Sequence, residues 1–81
     1  MDINKIYFII NEVLDSYLNE GIKPDHLLNY LNTDENNFNF MYNRVYRKLT
    51  LENVTFESEV LKECLKDSIR DKISIINDLN K

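Results

Sequence analysis

The chain has no Trp, Ala or Gln, and its 81 residues include only one Gly, one Pro, one Cys and one His. A lone Cys cannot close an internal disulfide, which suits a reducing compartment. With a single His beside it, no spaced set of sulfur and imidazole ligands exists for zinc. One Gly is too few for the glycine-rich loops that cradle phosphates. Long apolar runs are missing too. The longest, Ile6-Tyr7-Phe8-Ile9-Ile10, falls far short of the ~18–20 residues that span a bilayer, and neither a basic start nor a small-residue cleavage site accompanies it. A cytoplasmic protein, neither secreted nor membrane-spanning, is the expectation.

What is present is acidic and AT-rich in its coding. Fourteen Asp and Glu against ten Lys and Arg leave a formal charge of −4, and the pI is about 4.8. That balance favours solubility and disfavours nonspecific adhesion to nucleic acid or anionic lipid. Twelve Asn, nine Ile, seven Lys and five Tyr are the residues of AT-rich codons and point to a low-GC bacterium, its phage, plasmid or other mobile element, or an AT-rich virus as the source. The length allows one domain, 1–81, whose folding buries only roughly 60–65% of the unfolded surface, so a partner or second copy would help its small core.

Hydrophobic periodicity predicts an all-α protein, a small four-helix bundle with helices over about 3–20, 25–32, 35–49 and 56–79. In the first helix Ile3, Ile6, Tyr7, Ile10, Val13, Leu14, Tyr17 and Leu18 recur at three-and-four spacing. Gly21 supplies a left-handed stop, with Ile22 placed to fold back on the last turn. Pro24 suits the first position of a short second helix that buries Leu27, Leu28 and Leu31. Thr33 or Asp34 can cap the third helix, whose inner side carries Phe38, Met41, Tyr42, Val45 and Leu49. The stretch 50–55 alternates like a short strand with nothing to pair with and reads as an ordered connection, Thr55 capping the fourth helix. Leu61, Cys64, Leu65, Ile69, Ile73, Ile76 and Leu79 form that helix's inner arc. Its outer face sets Glu59, Glu63 and Asp67 three residues before Lys62, Lys66 and Arg70, a solvated ion-pair row.

Few residues are left for chemistry, and no nucleophile stands at a spacing that pairs it with a base. No catalytic residue, metal ligand or cofactor is expected, and the chain reads as not an enzyme. His26 reads as a surface residue and Cys64 as a buried, inert thiol. Six residues stand out as partner-binding candidates. Phe8 lies on the polar side of the first helix and Ile9 on a flank off its main stripe; together they suggest a homodimer or partner surface, although Phe8 could instead touch a neighbouring helix. Arg44, Arg47 and Lys48 share an outward ridge in an otherwise acidic domain, with seven acidic and two basic residues in the first 35 positions. Lys72 falls within the apolar arc of the fourth helix, where its stem packs and its amine snorkels, or where a cation waits for an acidic partner.

Two resemblances bear on these segments. Asp15-Ser16-Tyr17 and Asp67-Ser68-Ile69 are similar to the Asp-Ser-Leu attachment site of acyl carrier proteins, but the Gly that precedes it there is absent and both serines lie inside helical patterns. Leu27-Leu28-Asn29-Tyr30-Leu31, and Val54-Thr55-Phe56-Glu57 followed by Val60-Leu61, resemble segments of class IIa bacteriocin immunity proteins. That likeness implies a small cytoplasmic four-helix bundle, in a group that is typically less acidic.

The function expected is that of a non-enzymatic protein–protein interaction module, an inhibitor, regulator or accessory factor that binds a protein partner and forms a homodimer. The alternatives are a helix-turn-helix DNA-binding regulator that reads DNA with the helix over 35–49, an oligomeric sponge that captures an anionic nucleotide through Arg44, Arg47 or Lys72, and an immunity-like protein. Nucleic acid is disfavoured by the overall charge.

Overall fold

Asp2 starts the first helix by accepting the Lys5 N–H on its carboxylate at 3.2 Å while its carbonyl accepts the Ile6 N–H at 3.1 Å. The computed structural model describes residues 2–23, 26, 27, 30 and 35–79. Within them are three helices and no strand: α1 (Ile3–Asn19), α2 (Glu35–Leu51) and α3 (Ser58–Leu79).

The turn after α1 closes as the sequence predicts. Gly21 takes φ +102°, its N–H donates to the Leu18 carbonyl at 3.2 Å, and the Ile22 N–H reaches back to the Tyr17 carbonyl at 3.2 Å. These paired bonds satisfy the free carbonyls of the last turn. The same device ends α2 with Asn in place of Gly. Asn53 has φ 58° and donates its N–H to Thr50 O at 3.1 Å, while the Val54 N–H donates to Leu49 O at 2.9 Å. Asn tolerates the left-handed region because its short polar side chain bonds locally. The strand-like alternation over 50–55 is therefore spent on the end of a helix and its reversal, and α2 runs two residues past the expected Leu49. Thr55 does not cap α3: that helix begins at Ser58, and Glu57 flanks it, accepting the Leu61 N–H at 2.9 Å.

Among the described residues the four-helix bundle is corrected to three helices. Of the helix expected over 25–32, the described residues are His26, Leu27 and Tyr30, and the remainder of that expectation, with Pro24, Leu28, Leu31 and the caps Thr33 and Asp34, lies outside the described residues. The His26 N–H donates to the Lys23 carbonyl at 2.9 Å, a tight one-turn closure. The eight residues expected for that helix, 25–32, are too few to offset the cost of nucleation by propensity, so order there depends on packing. Leu27 is instead anchored by complete burial, and Tyr30 by an edge-to-face contact with Tyr17 at 5.7 Å between centroids.

Cross-helix contacts set the directions. Glu12 meets Lys48 and Glu20 meets Arg44, so α2 runs antiparallel to α1. Tyr7 meets Cys64 and Asp15 meets Lys72, so α3 runs parallel to α1. The central α1 packs on both neighbours and gives Ile6, Ile9, Ile10, Val13 and Leu14 to a core completed by Leu27, Met41, Val45, Leu49, Leu61, Cys64, Leu65 and Ile69. A helix with two neighbours needs a wide buried arc. Between α2 and α3 an aromatic row fills the gap: Phe38 stacks on Tyr42, Tyr42 tilts against Tyr46, and Tyr46 meets Phe56 edge to face at 5.0 Å. Lys62 and Lys66 of α3 lie over the Tyr42 and Phe38 rings, and the Tyr42 and Ser58 hydroxyls share a hydrogen bond of 3.0 Å.

Two residues of the expected core are outside it. Ile3 is exposed at the start of α1, and Leu79 is 80% exposed. At 22 residues α3 is about 33 Å long against about 25 Å for the 17 residues of α1, so its last turn overhangs the helix it packs on.

Candidate functional site

Successive residues on a helix turn by about 100°, so Phe8 lies one turn before Glu12 on the same outward side of α1. On α2, Phe40, Arg44, Arg47 and Leu51 follow at spacings of four, three and four and share the edge that flanks α1. The antiparallel register given by the Glu12–Lys48 and Glu20–Arg44 pairs then brings Phe8 and Leu51 to one end of the α1/α2 face and Phe40 towards the other. Phe8 is 63% exposed, Phe40 69% and Leu51 82%. Three large apolar side chains thus stand in solvent, Phe40 and Leu51 on the outer edge of α2 and Phe8 on the outer back of α1, between Glu12, which meets α2, and Asp15, which meets α3. Ile9, expected beside Phe8, is instead fully in the core, because it lies on the flank of α1 that α2 covers. It is withdrawn from the partner surface.

The basic ridge is largely used within the chain. Arg44 donates Nη2 to Glu20 Oε1 at 3.0 Å and Nη1 to Glu20 Oε2 at 3.4 Å, a two-pronged pair, and its guanidinium lies 4.9 Å from the centre of the Tyr17 ring. That hydrogen bond holds the Glu20 carboxyl below its ordinary value and raises Arg44 further above the physiological range. Lys48 donates Nζ to Glu12 Oε2 at 3.1 Å. Arg47 alone of the three has no ion pair among the described residues. Lys72 is also committed: its ammonium donates to Asp15 Oδ1 at 2.9 Å, with 20% of the side chain exposed. The three ion pairs expected along α3 form, Glu59–Lys62 at 3.8 Å, Glu63–Lys66 at 3.9 Å and Asp67–Arg70 at 3.2 Å.

At the Phe40 end the face opens into a cleft of about 490 Å³ lined by Tyr17, Tyr30, Asn37, Phe40, Asn43, Arg44 and Arg47. Tyr17 comes from the last turns of α1 and the other described lining residues from Tyr30 and α2. Burial raises the Tyr30 phenol, with a smaller contribution from Tyr17, so it stays neutral and a hydrogen-bond donor at physiological pH. A second concavity of about 690 Å³ at the opposite end, between Asp2–Lys5 and Glu52–Thr55, is more polar. Its lining includes Asp2, Lys5, Glu52 and Thr55. Among the described residues no three His, Cys, Asp or Glu side chains gather as metal ligands, and no helix is long and apolar enough to cross a membrane.

Tyr17, Tyr30, Asn37, Phe40 and Asn43 were not singled out by the sequence. The spacing of Phe40, Arg44, Arg47 and Leu51 was a readable signal, but nothing in a linear pattern reveals which ridge cations meet carboxylates on another helix. Ser68, within the segment that resembles a carrier-protein attachment site, is 5% exposed inside the α1-facing arc of α3, where no prosthetic arm could be attached without unfolding the helix. Compared with protein families, with characterised proteins and with solved structures, the chain matches none.

Proposed function

We propose that the chain is a non-enzymatic protein–protein interaction module that uses the outer α1/α2 face, acting in the cytoplasm of a bacterium or host cell as an inhibitor, regulator or accessory factor of a phage, mobile element or virus. The observation that carries this reading is the exposure of Phe40 and Leu51 along one edge of α2, with Phe8 exposed on the neighbouring α1, in a very small protein. Single exposed apolar residues are ordinary, whereas several on one side, interleaved with polar groups, mark a surface that loses water on binding. Glu12–Lys48 and Glu20–Arg44 neutralise the face locally, so a partner meets a nearly uncharged surface with Arg47 as its one net cation among the described ridge residues. Self-association through the same face is the simplest case.

A helix-turn-helix role finds less support, since a recognition helix needs free cations for phosphate and two of the three on α2 are engaged by carboxylates. The test is affinity capture from the source cells with the wild type, with Phe8→Asp, Phe40→Asp and Leu51→Asp, and with Ile75→Asp as an exposed control on α3. The same protein should be retained by the wild type and the control and lost by the face variants, all of unchanged helicity. Retention by every variant would overturn the assignment of the face. Steeply salt-dependent binding to duplex DNA, weakened by Arg47→Ala, would replace it with the DNA-binding alternative.

A further inference from the structure

We infer that the cleft between the end of α1 and the outer edge of α2 is a binding site for a nucleoside monophosphate. Its volume of about 490 Å³ lies within the ~300–1,000 Å³ of small-molecule sites, and its composition follows their pattern of aromatic walls with a few converging polar groups. Its phosphate and its base each find a counterpart.

The phosphate is met by Arg47, whose guanidinium has no carboxylate partner among the described residues. A planar fork of donors matches phosphate oxygens better than a point charge does. Arg44 is not a second phosphate cation, since both prongs of its guanidinium are taken by Glu20; braced there and over the Tyr17 ring, it forms a fixed, neutral side of the cleft. Because that pair is locally neutral, Arg47 carries the net positive charge of the cleft, and the chain's overall charge of −4 is spread over other surfaces.

The base is met by rings. Phe40 is 69% exposed at the cleft, and covering it with a flat heterocycle would remove apolar surface from water. Tyr17 and Tyr30 hold each other edge to face at 5.7 Å and form a preset aromatic wall. Asn37 and Asn43 supply the remaining polar contacts. An amide both donates and accepts, as the edge of a nucleobase does, whereas a plain phenyl ring would leave those groups without partners. The cleft shares Phe40 and Arg47 with the proposed partner face, so a nucleotide and a partner would compete there, and the inference is read with the purified chain alone at concentrations where it is monomeric.

Amide and side-chain NMR shifts of the intact protein, followed during titration with AMP, UMP, adenosine, phenyl phosphate and inorganic phosphate, test it. AMP and UMP should bind, with shifts centred on Tyr17, Tyr30, Asn37, Phe40, Asn43 and Arg47, and at least about tenfold more tightly than adenosine, phenyl phosphate or phosphate. Arg47→Gln and Phe40→Ala, both at exposed positions that leave the fold intact, should each weaken AMP about tenfold, and Lys48→Gln, outside the cleft, should leave it unchanged. The inference is overturned by no nucleotide binding up to about 5 mM, by shifts centred elsewhere, by equal affinity in Arg47→Gln, or by phosphate or phenyl phosphate binding as tightly as AMP.

Discussion

Replacing Ser68 by Ala should stabilise this protein. Ser68 is 5% exposed in the middle of α3, and its hydroxyl, buried from solvent, has no hydrogen-bond partner among the described residues. A hydroxyl taken out of water without compensation costs about 1–3 kcal/mol, and the substitution removes that cost. Ala also favours the helix over Ser by about 0.5 kcal/mol. Against these gains stands the void left by one oxygen, roughly 10–15 Å³, which at ~24 cal/mol per Å³ opposes them by about 0.3 kcal/mol. The net expectation is a gain of about 1–3 kcal/mol, large beside the 5–15 kcal/mol typical of whole domains. Urea denaturation followed by circular dichroism reads it as a rise in midpoint with the slope unchanged, and a thermal scan as about 4–8 °C for each kcal/mol in a domain of this size. Ser74→Ala, on the exposed side of the same helix, isolates the propensity contribution and should gain about 0.5 kcal/mol at most. If Ser68→Ala gains no more than Ser74→Ala, the hydroxyl is satisfied in solution and the reasoning fails.

Other outcomes follow from the same geometry. Hydrogen bonding with Cys64, then burial, then the carboxylates of Asp67 and Asp71, push the Tyr7 phenol from 10.0 up to about 12. The folded state therefore holds this proton more tightly than the unfolded chain, so the contribution to stability is complete below pH 10 and is lost as pH rises towards 12. Denaturation measured across that window should show a decline that Tyr7→Phe makes shallower; an identical decline in the variant would remove Tyr7 as its source. Gly21→Ala meets no atom within 4 Å but keeps φ +102°, so its cost of about 1 kcal/mol is purely backbone strain, and an unchanged denaturation midpoint would show that the turn can rearrange. If the α1/α2 face self-associates, light scattering at micromolar concentration should give about twice the 9.7 kDa chain mass, and Phe8→Asp should restore one chain with helicity intact. A monomer throughout would exclude the homodimer while leaving a different partner open.

What the sequence by itself determined is local. The three-and-four spacing of apolar residues marked α1, α2 and α3, because a helical face is written within a few turns of one segment. Gly21 beyond the end of α1 was legible for the same reason, as were the ion pairs three residues apart along α3. Tertiary structure decided the rest. Ile9 entered the core only because α2 packs on that flank of α1, and Leu79 left it only because α3 outruns α1. Arg44, Lys48 and Lys72 had no readable partners until the antiparallel and parallel registers placed Glu20, Glu12 and Asp15 opposite them, from 24 to 57 residues away in the chain. The cleft of Tyr17, Tyr30, Phe40 and Arg47 is assembled from separate segments in the same way. Periodicity specifies which side of a helix turns inward; it carries no information about which side chain of another helix stands at the same height, and both the cleft and the lack of an ion pair at Arg47 among the described residues depend on that.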